Sequence, residues 1–143
     1  MVRHDQKLRD LKALWDRKRG SLSMPMRAQF VTQDFGPWFG NLALIDILPR
    51  TIRLCGTNLI ERFGRDATGC DIADLDKLVA ESILSYIDSA RATKNPSTNI
   101  YNCIVDGMLM GFQELILPLS DDAIDVTTIL LGSYQTEKRP AWQ

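Results

Sequence analysis

The chain has 143 residues, 45% of them hydrophobic and 24% charged, and its net charge is −1. That length suits one domain with a real hydrophobic core, and the balance excludes disorder and any global pull toward nucleic acid or an acidic membrane. No uninterrupted apolar run approaches the ~18 residues of a membrane span, and the charged first stretch, Met1 to Gly20, does not resemble a signal peptide.

Charge is unevenly spread. Residues 1–20 hold seven Lys/Arg and three Asp, so that segment is +4 and the remainder −5. Three cysteines, Cys55, Cys70 and Cys103, stand at wide spacings without a C-x-x-C. They give neither a disulfide framework nor a zinc site. Reduced, packed thiols suit an intracellular protein, so the expected location is the cytoplasm.

In chain order, Leu8, Leu11, Leu14 and Trp15 recur at helical spacing and predict an amphipathic helix from Asp5 to Lys18, ending near Gly20. A helix this short is marginal alone, so its stripe must bury against the domain or a second copy of itself. Residues 20–41 carry Pro25, Gly36, Pro37 and Gly40 among Phe30, Phe35, Trp38 and Phe39. They read as an irregular segment with short helical turns, pinned by aromatics. Leu42 to Ile47 and Thr51 to Cys55, joined through Leu48-Pro49-Arg50, read as a β-hairpin. Asn58 followed by Glu61 predicts a short capped helix that Gly64 stops.

Leu75, Leu78, Val79, Ile83, Tyr86, Ile87 and Ala90 define the clearest helix, capped by Asp74 and ended by Lys94-Asn95-Pro96. Three strands follow: Asn99 to Val105, Phe112 to Leu119 and Ile124 to Leu131, with Asp106-Gly107 as the first turn. Met108 to Met110 extends either neighbour. The tail from Lys138 is expected to be loose. The order predicts an α+β domain with one antiparallel sheet and helices on one face. The divisions are an N-terminal helix over residues 1–20, a domain over 21–137 and a tail over 138–143.

Catalytic and metal chemistry lacks its parts. His4 is the single histidine, so no Ser-His-Asp or Cys-His arrangement can be built in the core, and His-ligated haem is disfavoured on the same count. Gly64 to Gly69 has the glycine spacing of a phosphate loop, but Cys70 and Asp71 stand where Lys and Ser/Thr are needed. Asp121, Asp122 and Asp125 lack the spacing of a calcium loop. No catalytic residue and no metal ligand is assigned.

The most informative stretch is Arg53-Leu54-Cys55-Gly56-Thr57, then Phe63-Gly64-Arg65-Asp66-Ala67-Thr68-Gly69. It reads as a strand, a glycine turn, a short helix and a charged loop closed by a second glycine. This pattern resembles that of the small stand-alone PAS-like family common in alphaproteobacteria, R-x-x-G-T followed by F/Y-G-x-D-x-T-G. Trp15, Arg19, Pro25, Arg27, Leu44-Ile45-Asp46 and Leu117-Pro118-Leu119-Ser120 extend the resemblance over most of the chain, from Trp15 to Leu131.

The resemblance implies a PAS fold, with five antiparallel strands, helices over one face, and any ligand held between the two layers. It also implies that paired N-terminal helices dimerise, a role that the stripe Leu8, Leu11 and Trp15 fits. Flavin-binding relatives place a reactive cysteine in an N-C-R-F-L-type motif. Here Gly56-Thr57-Asn58-Leu59-Ile60 stands in its place, so a cysteinyl flavin is disfavoured too.

The leading expectation is a non-catalytic sensory module. It binds a small ligand through Arg53, Cys55, Phe63, Tyr101 and Cys103, and signals through a protein partner or a homodimer. The loop Gly56, Thr57, Gly64, Arg65, Asp66, Thr68 and Gly69 gives it its shape. Arg53 would hold a ligand carboxylate, or else pair with Asp66. Two other readings stand beside it: a small enzyme or carrier with an internal cavity, and a regulator- or nucleic-acid-binding adaptor acting through residues 1–20.

Overall fold

A computed structural model describes residues 1–143. Five strands form one antiparallel sheet: β1 Leu42–Asp46, β2 Thr51–Cys55, β3 Ser97–Val105, β4 Met108–Ser120 and β5 Val126–Pro140, in the spatial order β2-β1-β5-β4-β3. The helices are α1 Asp5–Arg19, α2 Ile60–Phe63 and α3 Lys77–Thr93. No helix is long and apolar enough to cross a membrane.

The pairing register sorts the side chains into two faces, because residues directly opposite one another point the same way. Gly132 lies opposite both Leu42 and Leu115, and Glu114 lies opposite Ser133 and Asn99. One face therefore carries Leu42, Leu115 and Gly132. The other carries Glu114, Ser133, Asn99, Phe112 and Tyr101. Helices α2 and α3 cover the Glu114 face.

Helix α1 covers the opposite face. A Cβ placed on Gly132 would lie 2.9 Å from Leu11 Cδ2 and 3.3 Å from Leu8 Cδ2, so a glycine there lets the helix settle on the sheet. Trp15 Nε1 donates to Pro118 O at 2.9 Å, and Trp38 Nε1 donates to Lys7 O at 2.8 Å, fixing both ends of the contact. Leu8, Leu11, Leu14 and Trp15 are all buried. Leu8, Leu11 and Trp15, expected at a dimer interface, are thus packed within the chain itself. The stripe had two possible sinks, and the chain's own sheet takes it.

Residues 20–41 form 3-10 turns over Arg27–Gln29 and Thr32–Asn41, with Phe30 stacked on Phe35 at 5.6 Å between ring centres. The cap of α3 is Asp76, whose side chain accepts from Leu78 N, and not Asp74, which ends a 3-10 turn capped by Asp71. Asn58 donates to Asn41 Oδ1 at 2.9 Å and caps no helix. The tail expected to be loose from Lys138 begins inside the sheet. Strand β5 continues to Pro140, and Ala141 N donates to Gly107 O at 2.8 Å.

Candidate functional site

Between the sheet and the α2–α3 layer lies a closed polar cluster in an otherwise apolar interior. Glu114, in the middle of β4, is fully buried at 0% exposure. Its carboxylate accepts from Arg62 Nε at 3.0 Å, Ser133 Oγ at 2.6 Å and Tyr86 OH at 2.5 Å. Arg62 on α2 is 6% exposed, and its Nη2 donates to Ser82 Oγ at 3.1 Å. Asn99 Nδ2 on β3 donates to Tyr86 OH at 3.0 Å. Two helices and three strands thus converge on one ion pair.

An aromatic wall surrounds the cation. The Arg62 guanidinium carbon lies 5.4 Å from the ring centre of Tyr101, 5.8 Å from Phe63 and 6.0 Å from Phe112. These distances are in the range where a ring's electron-rich face attracts a cation, more strongly where water is excluded. Burial, the largest single effect, would lower the Arg62 pKa, but the Glu114 carboxylate together with the Tyr101 and Tyr86 phenols holds the guanidinium above its usual value. Burial, then Glu114, pushes the Tyr86 and Tyr101 phenols up. Both therefore remain O–H donors at physiological pH. The Tyr101 hydroxyl is buried and has no hydrogen-bond partner.

The cluster holds charge in place. A carboxylate that already takes three donors and sees no water is poorly placed to accept a proton from a substrate.

The five expected ligand residues do not form one pocket. Phe63 and Tyr101 lie together at Arg62, and Cys103 follows on the same face of β3, opposite Met110. Cys55 stands on β2, the other edge of the sheet, four strand spacings or roughly 19 Å away. Its thiol is pushed up, chiefly by burial. Arg53 is exposed, away from the interior. It pairs with Asp46, and not with Asp66. A bulge in β2 opposite Leu44 and Ile45 turns Arg53 toward the α1 face, which alternation alone does not show.

The loop residues have structural tasks. Asp66 accepts from Thr68 N at 3.1 Å, and Arg65 Nη2 donates to Asp74 O at 3.2 Å. Gly64 and Gly69 adopt φ of 78° and 83°, the left-handed region that favours glycine. A Cβ on Gly56 would lie 2.3 Å from Gly40 O, so the backbones pass too closely there for any side chain; Thr57 lies beside the same Gly40.

Two open depressions lie outside the interior. One, of about 860 Å³ at the turn end of the sheet, is lined by Arg27, Asp46, Arg53, Arg91, Lys94 and Asp125 among others. The second, of about 200 Å³, runs between α1 and β3. His4 stacks on Tyr134, with ring centres 4.7 Å apart, on the α1 side of the sheet. It therefore faces away from the cluster. Three basic residues of the N-terminal segment have close ion-pair partners, Lys12 with Asp16 at 3.1 Å, Lys18 with Asp34 at 3.1 Å and Arg3 with Asp5 at 2.9 Å, and of these acids only Asp34 lies outside the segment.

The five-stranded antiparallel sheet with helices matches solved PAS domains. The PAS domain of BvgS from Bordetella pertussis superposes with a TM-score of 0.53 at 14% identity, covering 95% of this chain and 90% of that one. The chain adopts the PAS fold. A PAS domain from Colwellia psychrerythraea (TM-score 0.50, 16% identity, 71% of this chain and 93% of that one) agrees. So does a sensory box sensor histidine kinase from Vibrio cholerae (0.50, 16%, 66% and 79%). No family model matches the sequence, and no curated protein matches it. Within this fold the closed cluster occupies the space between sheet and helices.

Sequence reasoning missed Arg62, Tyr86 and Glu114. A signal was present: Glu114 interrupts the apolar run from Phe112 to Leu119 with a carboxylate, and a charge inside a core strand must find a partner.

Proposed function

We propose that this PAS domain is a non-catalytic sensory module, of the small stand-alone kind its loop motif resembles, and that the Arg62–Glu114 cluster is its sensing centre. The ligand is a small molecule carrying a carboxylate or carbonyl. It enters between the sheet and the α2–α3 layer, accepts from Tyr101 and competes with Glu114 for Arg62. The output goes to a protein partner in the cytoplasm, and neither haem nor a cysteinyl flavin is the cofactor.

The observation that carries this reading is the Tyr101 hydroxyl, buried without a partner on the wall of a charged cluster. An unsatisfied buried donor costs about 1–3 kcal/mol, and a ligand acceptor would recover that cost.

Native mass spectrometry of the purified chain, beside Tyr101→Phe, tests it. The expected result is a retained small-molecule mass that weakens or disappears in Tyr101→Phe. A bare polypeptide mass, with a Tyr101→Phe variant that melts higher than the parent, overturns the reading, because the hydroxyl would then be only a burden on the core.

A further inference from the structure

The two edges of the sheet are treated differently. Strand β2 is short, bulged and charged at Arg53, and its free side is occupied: Ile52 N donates to Cys70 O at 2.9 Å and Gly69 N to Ile52 O at 2.7 Å. Strand β3 has none of these protections. It runs nine residues, Ser97 to Val105, in unbroken register with β4, and no other strand pairs with it. It contains no proline and no charged residue. Natural edge strands are blunted by charge, bulges, proline or covering loops, and an edge without them is a template for another strand.

The surface beside this edge is apolar. Ile100 is 50% exposed and Ile104 64%, both on the α1 side of the sheet; Val105 is 46% exposed, and Trp142 packs near Gly107 at 79% exposure. Helix α1 rests over Gly132 and Leu42, and Ile100, Asn102 and Ile104 on the outer row of β3 stay exposed.

The sequence of the strand says which partner fits. In Ile100-Tyr101-Asn102-Cys103-Ile104 the outward row, Ile100, Asn102 and Ile104, is symmetric about Asn102. A two-fold axis through Asn102, normal to the sheet, sets each strand antiparallel to its copy. Ile100 then faces Ile104 of the other copy, Asn102 faces Asn102, and Tyr101 faces Cys103. Apolar meets apolar on the outer row, amide meets amide on the axis, and no like charges are opposed. A closed two-fold contact of this kind is the commonest way that chains self-associate.

We infer that the free edge of β3 pairs antiparallel with β3 of a second copy of this chain about Asn102, giving one continuous ten-stranded sheet. This interface does not depend on the ligand reading and does not use the α1 stripe.

Sedimentation velocity over two decades of concentration tests it, on the parent chain, Asn102→Lys and Leu48→Lys. Leu48 is 82% exposed on the distant β1–β2 turn and is the control for added charge. The expected result is a dimer for the parent and Leu48→Lys. In Asn102→Lys, where two ammonium groups meet on the axis, dimer affinity falls by about tenfold or more while the melting temperature holds. A parent chain that stays monomeric overturns the inference. So does a dimer indifferent to Asn102→Lys.

Discussion

Breaking the buried ion pair is the sharpest perturbation the structure offers. Arg62→Met keeps the aliphatic stem and removes the charge. Glu114→Gln keeps the shape and removes the opposite charge. Each variant alone strands a charge that is almost wholly buried, and loss of one member of such a pair costs about 3–5 kcal/mol. For a domain of this size 1 kcal/mol moves the melting temperature by roughly 3–5 °C, so each single variant should melt roughly 10–20 °C below the parent. The double variant has no stranded charge. Its introduced side-chain amide can still accept from Ser133 or Tyr86, so it should lose only about 1–2 kcal/mol. The coupling between the two sites is then at least about 4 kcal/mol, above the range of most measured pairs. Urea unfolding of all four chains, compared through midpoints at a common slope, reads this directly. Single variants that each cost below about 1 kcal/mol, or a double equal to the sum of the singles, would refute a sealed pair.

Two further outcomes follow from the loops. Gly69→Val should destabilise by about 1–3 kcal/mol, because φ is 83° and no atom stands near enough to add a packing gain; Gly69→Asn should restore most of it, and equal melting of parent and Val variant would sink the account. Asp122, held down from 3.8 to about 2 by the Asp125 and Ile124 N–H groups and the Ser120 hydroxyl, should make stability acid-sensitive. Its folded value is the lower one, so the native chain binds that proton less readily than the unfolded chain does. The stabilisation is complete above 3.8 and is lost as pH falls toward 2. Asp122→Asn should flatten that part of the pH–stability curve, and an unaltered slope in acid titrations followed by circular dichroism would contradict the hydrogen-bond assignment.

The sheet was legible because its signals are local. Alternation, turn residues and β-branched runs placed β2 from Thr51 to Cys55, and the same residues bound it in the structure. The helical stripe of α1 was equally plain, but periodicity reveals an apolar face and not what covers it. Only the close approach at Gly132 decides for the chain's own sheet. The α3 cap slipped by two residues because Asp74 and Asp76 both precede the helix, and the intervening Leu75 is taken into the core at the end of a 3-10 turn. The site was less legible. Its members, Arg62, Tyr86, Asn99, Glu114 and Ser133, span more than seventy positions, and no spacing rule joins residues that meet only through sheet register. Phe63 and Tyr101 were named because aromatics announce themselves. Arg53 was misplaced because one bulged residue reverses the face that alternation assigns.

Strand β3 carries both features of interest. Its inner row, Asn99, Tyr101 and Cys103, faces the cluster, with Asn99 bonded to the Tyr86 hydroxyl that also serves Glu114. Its outer row, Ile100, Asn102 and Ile104, faces open surface at the uncovered edge. Alternation along a single strand therefore sets the residues that would feel a change in the cluster next to the residues that would meet a partner. A buried ion pair adds little net stability compared with an apolar core of the same volume. Its geometry is what distinguishes it, because a charge sealed at 0% exposure tolerates few arrangements. A ligand that drew Arg62 away from Glu114 would leave Tyr86, and through it Asn99, to find new partners. The shortest path from that rearrangement to the surface is the width of β3.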